Sequence, residues 1–201
     1  MTDKQIQRIR KRIKSYRAIL ASEKRRFGGY LDSPGIRYVI AELYLQIQDY
    51  KGALTYFRWF SKQFSDDIGF PDFNLFWAAT LFENSKIPES LAKIYETSFS
   101  NTYLPELIAG ADPAPIDKSE SSNTKTLEYA KQIYTDCIEL ISLGFQIYLT
   151  SVVESEEYKA NLNKYISIQK LIKDEPVGPM RSNLIDESYK FEQQLTRRKY
   201  N

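Results

Sequence analysis

The sequence contains no histidine and a single cysteine, Cys137. The missing histidine removes the usual general base near neutral pH, the commonest zinc ligand and every Ser-His or Cys-His nucleophilic pair. One cysteine can form neither an internal disulfide nor a cysteine metal cluster, which indicates a reducing compartment. We therefore predict a protein that is not an enzyme and that needs no metal or other cofactor.

Long apolar runs are also missing. The first fourteen residues carry charge where a signal peptide would need an apolar stretch, and no later segment approaches a membrane span. This predicts a cytoplasmic protein without a membrane partner.

Glycine and proline are scarce, with eight of each in 201 residues, and alternating strand-like patterns are rare. Hydrophobic residues make up 42% of the chain, which is enough for a packed core. Apolar residues recur at steps of three and four in every long segment. These features predict an all-α fold of about seven to nine helices without a sheet.

The N-terminal segment, residues 1–34, combines a basic surface with one narrow apolar stripe. Residues 3–26 hold ten Lys or Arg against Asp3 and Glu23, a net charge of +8, so the rest of the chain carries −6 to give the overall +2. Such spacing predicts a basic amphipathic helix that ends at Gly28 and Gly29. The stripe consists of Ile6, Ile9, Ile13, Tyr16 and Leu20.

Arg8, Arg12 and Lys14 lie off this stripe and are candidates for binding an acidic protein or the phosphates of a nucleic acid. The alternative is a solvated surface on a helix that docks through its isoleucines. Aromatic residues do not interleave with the basic ones as they do in single-strand binding platforms.

Two helix-turn-helix patterns follow between residues 35 and 103. The first pair turns at Gln48-Asp49 and the second at Ser85-Lys86. Ala53 and Ser90 occupy equivalent small-residue positions, 37 residues apart, which indicates a helical repeat.

The stretch AELYLQIQDYKGALTYFRWF resembles a tetratricopeptide repeat. Ala41 and Ala53 stand at the small positions of that family, and Tyr44 and Phe57 stand at its aromatic positions. Gln48 replaces the customary turn glycine. The resemblance implies an antiparallel helix-pair array, a right-handed α-solenoid, in which flanking helices cap the two pairs.

Proteins of this family bind ligands in a concave groove lined by the first helix of each pair. Carried over to this chain, the resemblance implies a groove lined by Tyr38, Glu42, Leu45 and Gln46 in the first pair. In the second pair it implies Leu75, Ala79, Phe82 and Glu83.

We predict one helical domain over 1–201. Residues 104–123, rich in Pro, Ser, Asp and Ala, are expected to form an exposed loop. Three further helical patterns fill 124–201, before a basic tail at Arg197-Arg198-Lys199.

The leading functional hypothesis is an adaptor or scaffold of the tetratricopeptide type. It would bind a protein or peptide partner through the groove, the basic N-terminal helix or both. The alternatives are a nucleic-acid-binding protein that uses the basic helix, and a neutralising protein of the immunity or antitoxin kind. Neither the identity of the partner nor the oligomeric state follows from the sequence.

Overall fold

Residues 1–197 are described by a computed structural model, with ten α-helices, one short 3-10 helix and no strand in that range. The predicted all-α class is confirmed, with one helix more than the upper end of the predicted range. Arg198 and Lys199 of the predicted basic tail lie outside the described residues, as does the side chain of Arg197. The helices are α1 (Asp3–Phe27), α2 (Ile36–Gln46), α3 (Tyr50–Gln63), α4 (Pro71–Glu83), α5 (Ile87–Ser100), α6 (Leu104–Ile108), α7 (Leu127–Leu140), α8 (Leu143–Glu154), α9 (Glu156–Asp174) and α10 (Pro179–Arg197).

The chain divides into two compact units, Met1–Ile68 and Gly69–Asn201. The first unit holds α1 to α3, and the second holds α4 to α10. The two predicted helix pairs fall in different units.

In the first unit, α1 begins and ends where local signals place its boundaries. Thr2 and Gln5 form a capping box at its start, which satisfies two backbone N–H groups that lack partners in the helix. Gly28 ends the helix in the left-handed conformation, with φ of 73°. Of the apolar stripe, Ile13 and Leu20 are buried, whereas Ile6 and Ile9 are only partly covered.

The helices α2 and α3 supply most of the core of the first unit. Its fully buried aromatic side chains are Tyr56, Phe57 and Phe60, and α1 packs against α2. The Tyr56 hydroxyl donates a 2.6 Å hydrogen bond to the carbonyl of Arg37, which joins α3 to α2. The burial of Ile13 and Leu20 and the packing of α1 against α2 agree with a helix that docks through its apolar stripe.

The turn between α2 and α3 has the same backbone–backbone hydrogen bonds as the turn between α4 and α5. Each of these bonds in the first turn has a counterpart in the second, 37 positions later. In the first turn, the backbone N–H of Gln48 donates to the Leu45 carbonyl at 2.8 Å, and that of Asp49 donates to the Tyr44 carbonyl at 3.0 Å. In the second turn, the backbone N–H of Ser85 donates to the Phe82 carbonyl at 2.8 Å, and that of Lys86 donates to the Leu81 carbonyl at 2.9 Å.

In the second unit, α5 packs against both α4 and α10. Ser90, at the predicted small position, is fully buried, and its hydroxyl donates to the Ala78 carbonyl at 2.8 Å. Tyr165 of α9 donates to the Phe99 carbonyl of α5 at 3.1 Å, and the hydroxyls of Tyr158 and Ser98 lie 2.7 Å apart. The three hydrogen bonds give partners to hydroxyl groups that would otherwise be buried without them.

The segment 104–123 differs from the predicted exposed loop. Its first five residues form α6, and Leu104, Pro105 and Ile108 are buried there. The amide oxygen of Asn101 accepts from the backbone N–H of Leu104 at 3.0 Å, which supports the start of this helix. Further on, Lys118 is buried, and its ammonium lies 4.9 Å from the centre of the Tyr103 ring. Within the predicted loop, most of the exposed residues lie at 110–115 and 120–123.

Candidate functional site

The ten Lys and Arg side chains of α1 are all exposed. We call this set the basic surface of α1. Within residues 1–197, none of the ten forms an ion pair with a carboxylate. The set comprises Lys4, Arg8, Arg10, Lys11, Arg12, Lys14, Arg17, Lys24, Arg25 and Arg26.

The sequence explains why these charges are unpaired. The acidic residues of α1 are Asp3, in the first turn, and Glu23. Glu23 accepts a 3.2 Å hydrogen bond from the backbone N–H of Asp32, which leads into α2. A carboxylate stabilises a helix when it lies three or four positions before a cation. In α1 this spacing occurs once, between Glu23 and Arg26. The basic surface therefore keeps almost its full charge.

Arg8, Arg12 and Lys14, the candidates on α1, are exposed as expected from the stripe. The guanidinium of Arg12 donates to the Tyr16 hydroxyl at 2.9 Å and lies 5.1 Å from the centre of that ring. This contact holds Arg12 along the helix, and its remaining donors stay accessible to a partner.

A pocket of about 400 Å³ lies in the first unit, between the C-terminal half of α1 and the end of α3. Three of its lining side chains are cations and none is acidic. It is lined by Arg17, Ala21, Lys24, Arg25, Tyr30, Trp59 and Gln63.

Gln63 organises the polar wall of this pocket. Its amide oxygen accepts from the Lys24 ammonium at 3.0 Å and from the Tyr30 hydroxyl at 3.1 Å. Burial raises the pKa of Tyr30 above its ordinary value, so this hydroxyl is protonated at neutral pH and able to donate. The Tyr30 ring meets Trp59 edge to face, with 5.8 Å between ring centres.

Three of the residues that line the pocket are not among the candidates that the sequence predicts. Tyr30 comes from the loop after α1, and Trp59 and Gln63 come from α3, so no local pattern links them to Arg17 or Arg25. They bring aromatic rings next to basic residues, which the sequence pattern of α1 alone does not predict.

Of the groove candidates in the first unit, Tyr38 is half-buried and already engaged. Its hydroxyl donates to Asp67 at 2.7 Å, and Asp67 also accepts from Arg37 at 3.0 Å. Burial, with a smaller contribution from Asp67, raises the pKa of Tyr38 to about 12. Gln46 is exposed and Glu42 partly so, whereas Leu45 is buried and presents no surface for a ligand.

In the second unit, α8 covers the groove candidates. Phe82 stacks on Tyr148 with 4.9 Å between ring centres, and Glu83 accepts a hydrogen bond from the Ser142 hydroxyl. The expectation that Leu75 and Ala79 line an open groove is wrong, because both are fully buried.

Within the part of the chain that the structure describes, no three Cys, Asp or Glu side chains come together in a way that could hold a metal ion. Of the helices in residues 1–197, none has both the length and the apolar character needed to cross a bilayer. Comparisons with protein-family models, curated proteins and solved structures find no match to this chain.

Proposed function

We propose that this chain is a tetratricopeptide-like binding protein that recognises an acidic protein partner through the basic surface of α1. The observation that carries this proposal is the set of ten exposed cations, none of which has a carboxylate partner within residues 1–197. A concentration of one sign of charge attracts oppositely charged partners and speeds their association.

The tetratricopeptide-like arrangement is supported by the repeated turn. The same backbone hydrogen bonds recur 37 residues apart, and the small residues Ala53 and Ser90 are buried at matching positions. The right-handed α-solenoid class is part of this proposal and rests on the repeated turn.

The basic surface is a better candidate than the groove. Tyr38, Phe82 and Glu83 already make contacts inside their own units, so a partner would have to displace those contacts. Arg8 and Lys14 have no such competitor among residues 1–197.

The test compares two triple charge reversals within the first unit. The variant Arg8→Glu/Arg12→Glu/Lys14→Glu changes the basic surface. The control, Lys51→Glu/Arg58→Glu/Lys62→Glu, makes the same change in net charge at exposed positions of α3. Circular dichroism and thermal unfolding should be nearly the same as for the wild type, since surface substitutions of this kind change stability by about 0.5 kcal/mol or less each.

Partners are captured from lysate, identified by mass spectrometry, purified and titrated at increasing salt. We expect the wild type and the α3 control to bind the same acidic protein, with an affinity that falls as salt rises, and the α1 variant to lose it. Equal binding by the α1 variant would contradict the proposal and favour the groove. Binding that disappears after nuclease treatment would instead identify a nucleic acid as the partner.

A further inference from the structure

The pocket between α1 and α3 is built differently from the rest of the basic surface. On α1, Arg17, Ala21 and Arg25 follow one another at steps of four, so they lie along one side of the helix. Ala21, between the two arginines on the helix, also lines the pocket and has a small side chain. Tyr30 and Trp59 bound this space with aromatic rings.

The polar groups of the pocket are mostly donors. Its one amide oxygen, on Gln63, is occupied by Lys24 and Tyr30. Arg17 makes only a long contact, 3.5 Å, to the Tyr44 hydroxyl. Among residues 1–197, the side chain of Arg25 and the indole N–H of Trp59 make no hydrogen bond, and that N–H is not buried.

An excess of donors without an acidic neighbour favours a ligand with several acceptor oxygens and negative charge. Phosphate and carboxylate groups have these properties, and guanidinium groups bind them with charge-assisted hydrogen bonds. Pockets of about 400 Å³ hold small organic molecules. A bare inorganic anion is smaller and would leave most of this volume empty.

The aromatic wall favours a ligand that also has a flat ring. The rings of Tyr30 and Trp59 lie at 85° to each other, and the Lys24 ammonium lies 4.9 Å from the centre of the Tyr30 ring. Aromatic side chains stack on the planar ring of any nucleobase, whichever base it is.

We infer that this pocket binds a small aromatic anion of the nucleoside monophosphate class, with its phosphate between Arg17 and Arg25 and its base against Trp59. This ligand differs in kind from the protein partner proposed above. The pocket uses Arg17, Lys24 and Arg25 of the basic surface, and none of these three is changed in the charge-reversal variant.

The experiment titrates the full chain with AMP, GMP, CMP and UMP, and with adenosine and inorganic phosphate as the two halves of the ligand. Isothermal calorimetry measures binding. Fluorescence of Trp59 is followed in a Trp77→Phe background, where it is the only tryptophan. We expect at least one nucleotide to bind and to quench Trp59, with an affinity at least about tenfold above that of adenosine or phosphate.

Arg25→Glu and Arg26→Glu form the matched pair of variants. Both residues are exposed, and they are adjacent on α1, but only Arg25 lines the pocket. Arg25→Glu should weaken nucleotide binding about tenfold or more, and Arg26→Glu should weaken it far less. Absence of binding by all four nucleotides, equal affinity for adenosine and AMP, or equal losses in the two variants would overturn the inference. None of these results would bear on the acidic protein partner.

Discussion

Gln48 and Ser85 adopt the same left-handed backbone conformation, with φ of 52° and 57°, at positions 37 residues apart. Within residues 1–197 they are the two residues other than glycine with positive φ. An L-residue pays about 1–2 kcal/mol for this conformation, whereas glycine adopts it readily. Both turns therefore hold a side chain where the backbone favours glycine.

Replacing Gln48 by glycine should stabilise the protein. The relief of backbone strain exceeds the extra entropy that glycine loses on folding, so we expect the free energy of unfolding to rise by roughly 0.5–1 kcal/mol. Urea denaturation measures the change. Gln7→Gly is the matched control, because Gln7 is an exposed residue inside α1, where glycine should cost about as much as it gains at the turn. A loss of stability in both variants would contradict the prediction.

Gly52 and Gly144 should respond in opposite directions to alanine. A Cβ atom at Gly52 would lie 2.5 Å from the ring of Tyr44, whereas at Gly144 the nearest atom, on Phe82, is 3.7 Å away. Both glycines are helical, so Gly144→Ala should stabilise by roughly 0.5–1 kcal/mol. Gly52→Ala should destabilise despite the better helix propensity of alanine. Thermal unfolding of the two variants gives the signs, and a gain of stability in both would show that the close contacts at Gly52 do not matter.

The apolar stripe of α1 can be tested with two isoleucines. Ile13 is 5% exposed and Ile19 is 40% exposed. Ile13→Asp loses roughly 1.5–3 kcal/mol of hydrophobic stabilisation and buries an unpaired charge as well, so the first unit should be severely destabilised. Ile19→Asp should change the free energy of unfolding much less. Urea denaturation followed by Trp59 fluorescence in the Trp77→Phe background compares the two, and similar losses would show that α1 does not depend on its stripe.

Asp72 should make the stability of the second unit depend on pH. Burial raises the pKa of its carboxyl, and one of its oxygens is buried without a hydrogen-bond partner within residues 1–197. The folded state therefore binds a proton more readily than the unfolded state. As pH rises from the unfolded value of about 3.9 through the raised folded value, the free energy of unfolding should fall.

The asparagine side chain in Asp72→Asn cannot ionise. The free energy of unfolding of this variant should therefore fall less steeply with rising pH than that of the wild type. Denaturation between about pH 4 and pH 7 measures both slopes. Burial also raises the pKa values of Glu106 and Glu192, so Glu106→Gln and Glu192→Gln should change the slope in the same direction. Parallel pH profiles for Asp72→Asn and the wild type would refute the assignment.

Local signals in the sequence predict most of the helices. The end of α1 at Gly28, the two turns and the buried Ala53 and Ser90 all follow from spacing and residue type, because each depends on a few neighbouring residues. The sequence pattern does not predict the start of α8. An apolar pattern continues from α7 towards Tyr148, but Ser142 caps a new helix by accepting from the Phe145 N–H at 3.0 Å.

Features that depend on distant residues could not be predicted in the same way. The helix α6 is supported by Asn101, whose amide also donates to the Thr126 carbonyl at 2.9 Å. The pocket combines Arg17 with Trp59, 42 positions later. Periodicity describes which face of a helix is apolar. It does not tell which other segment will cover that face.

Cys137 is fully buried in α7, and this gives the chain a practical chemical property. A thiol-reactive reagent should leave the native protein unmodified, since the one sulfur atom is inaccessible. A cysteine introduced at Lys11, for example, would then be the sole accessible site for a photoactivatable cross-linker. Such a derivative could covalently trap whatever docks on α1, and the peptides recovered would map the contact on both molecules.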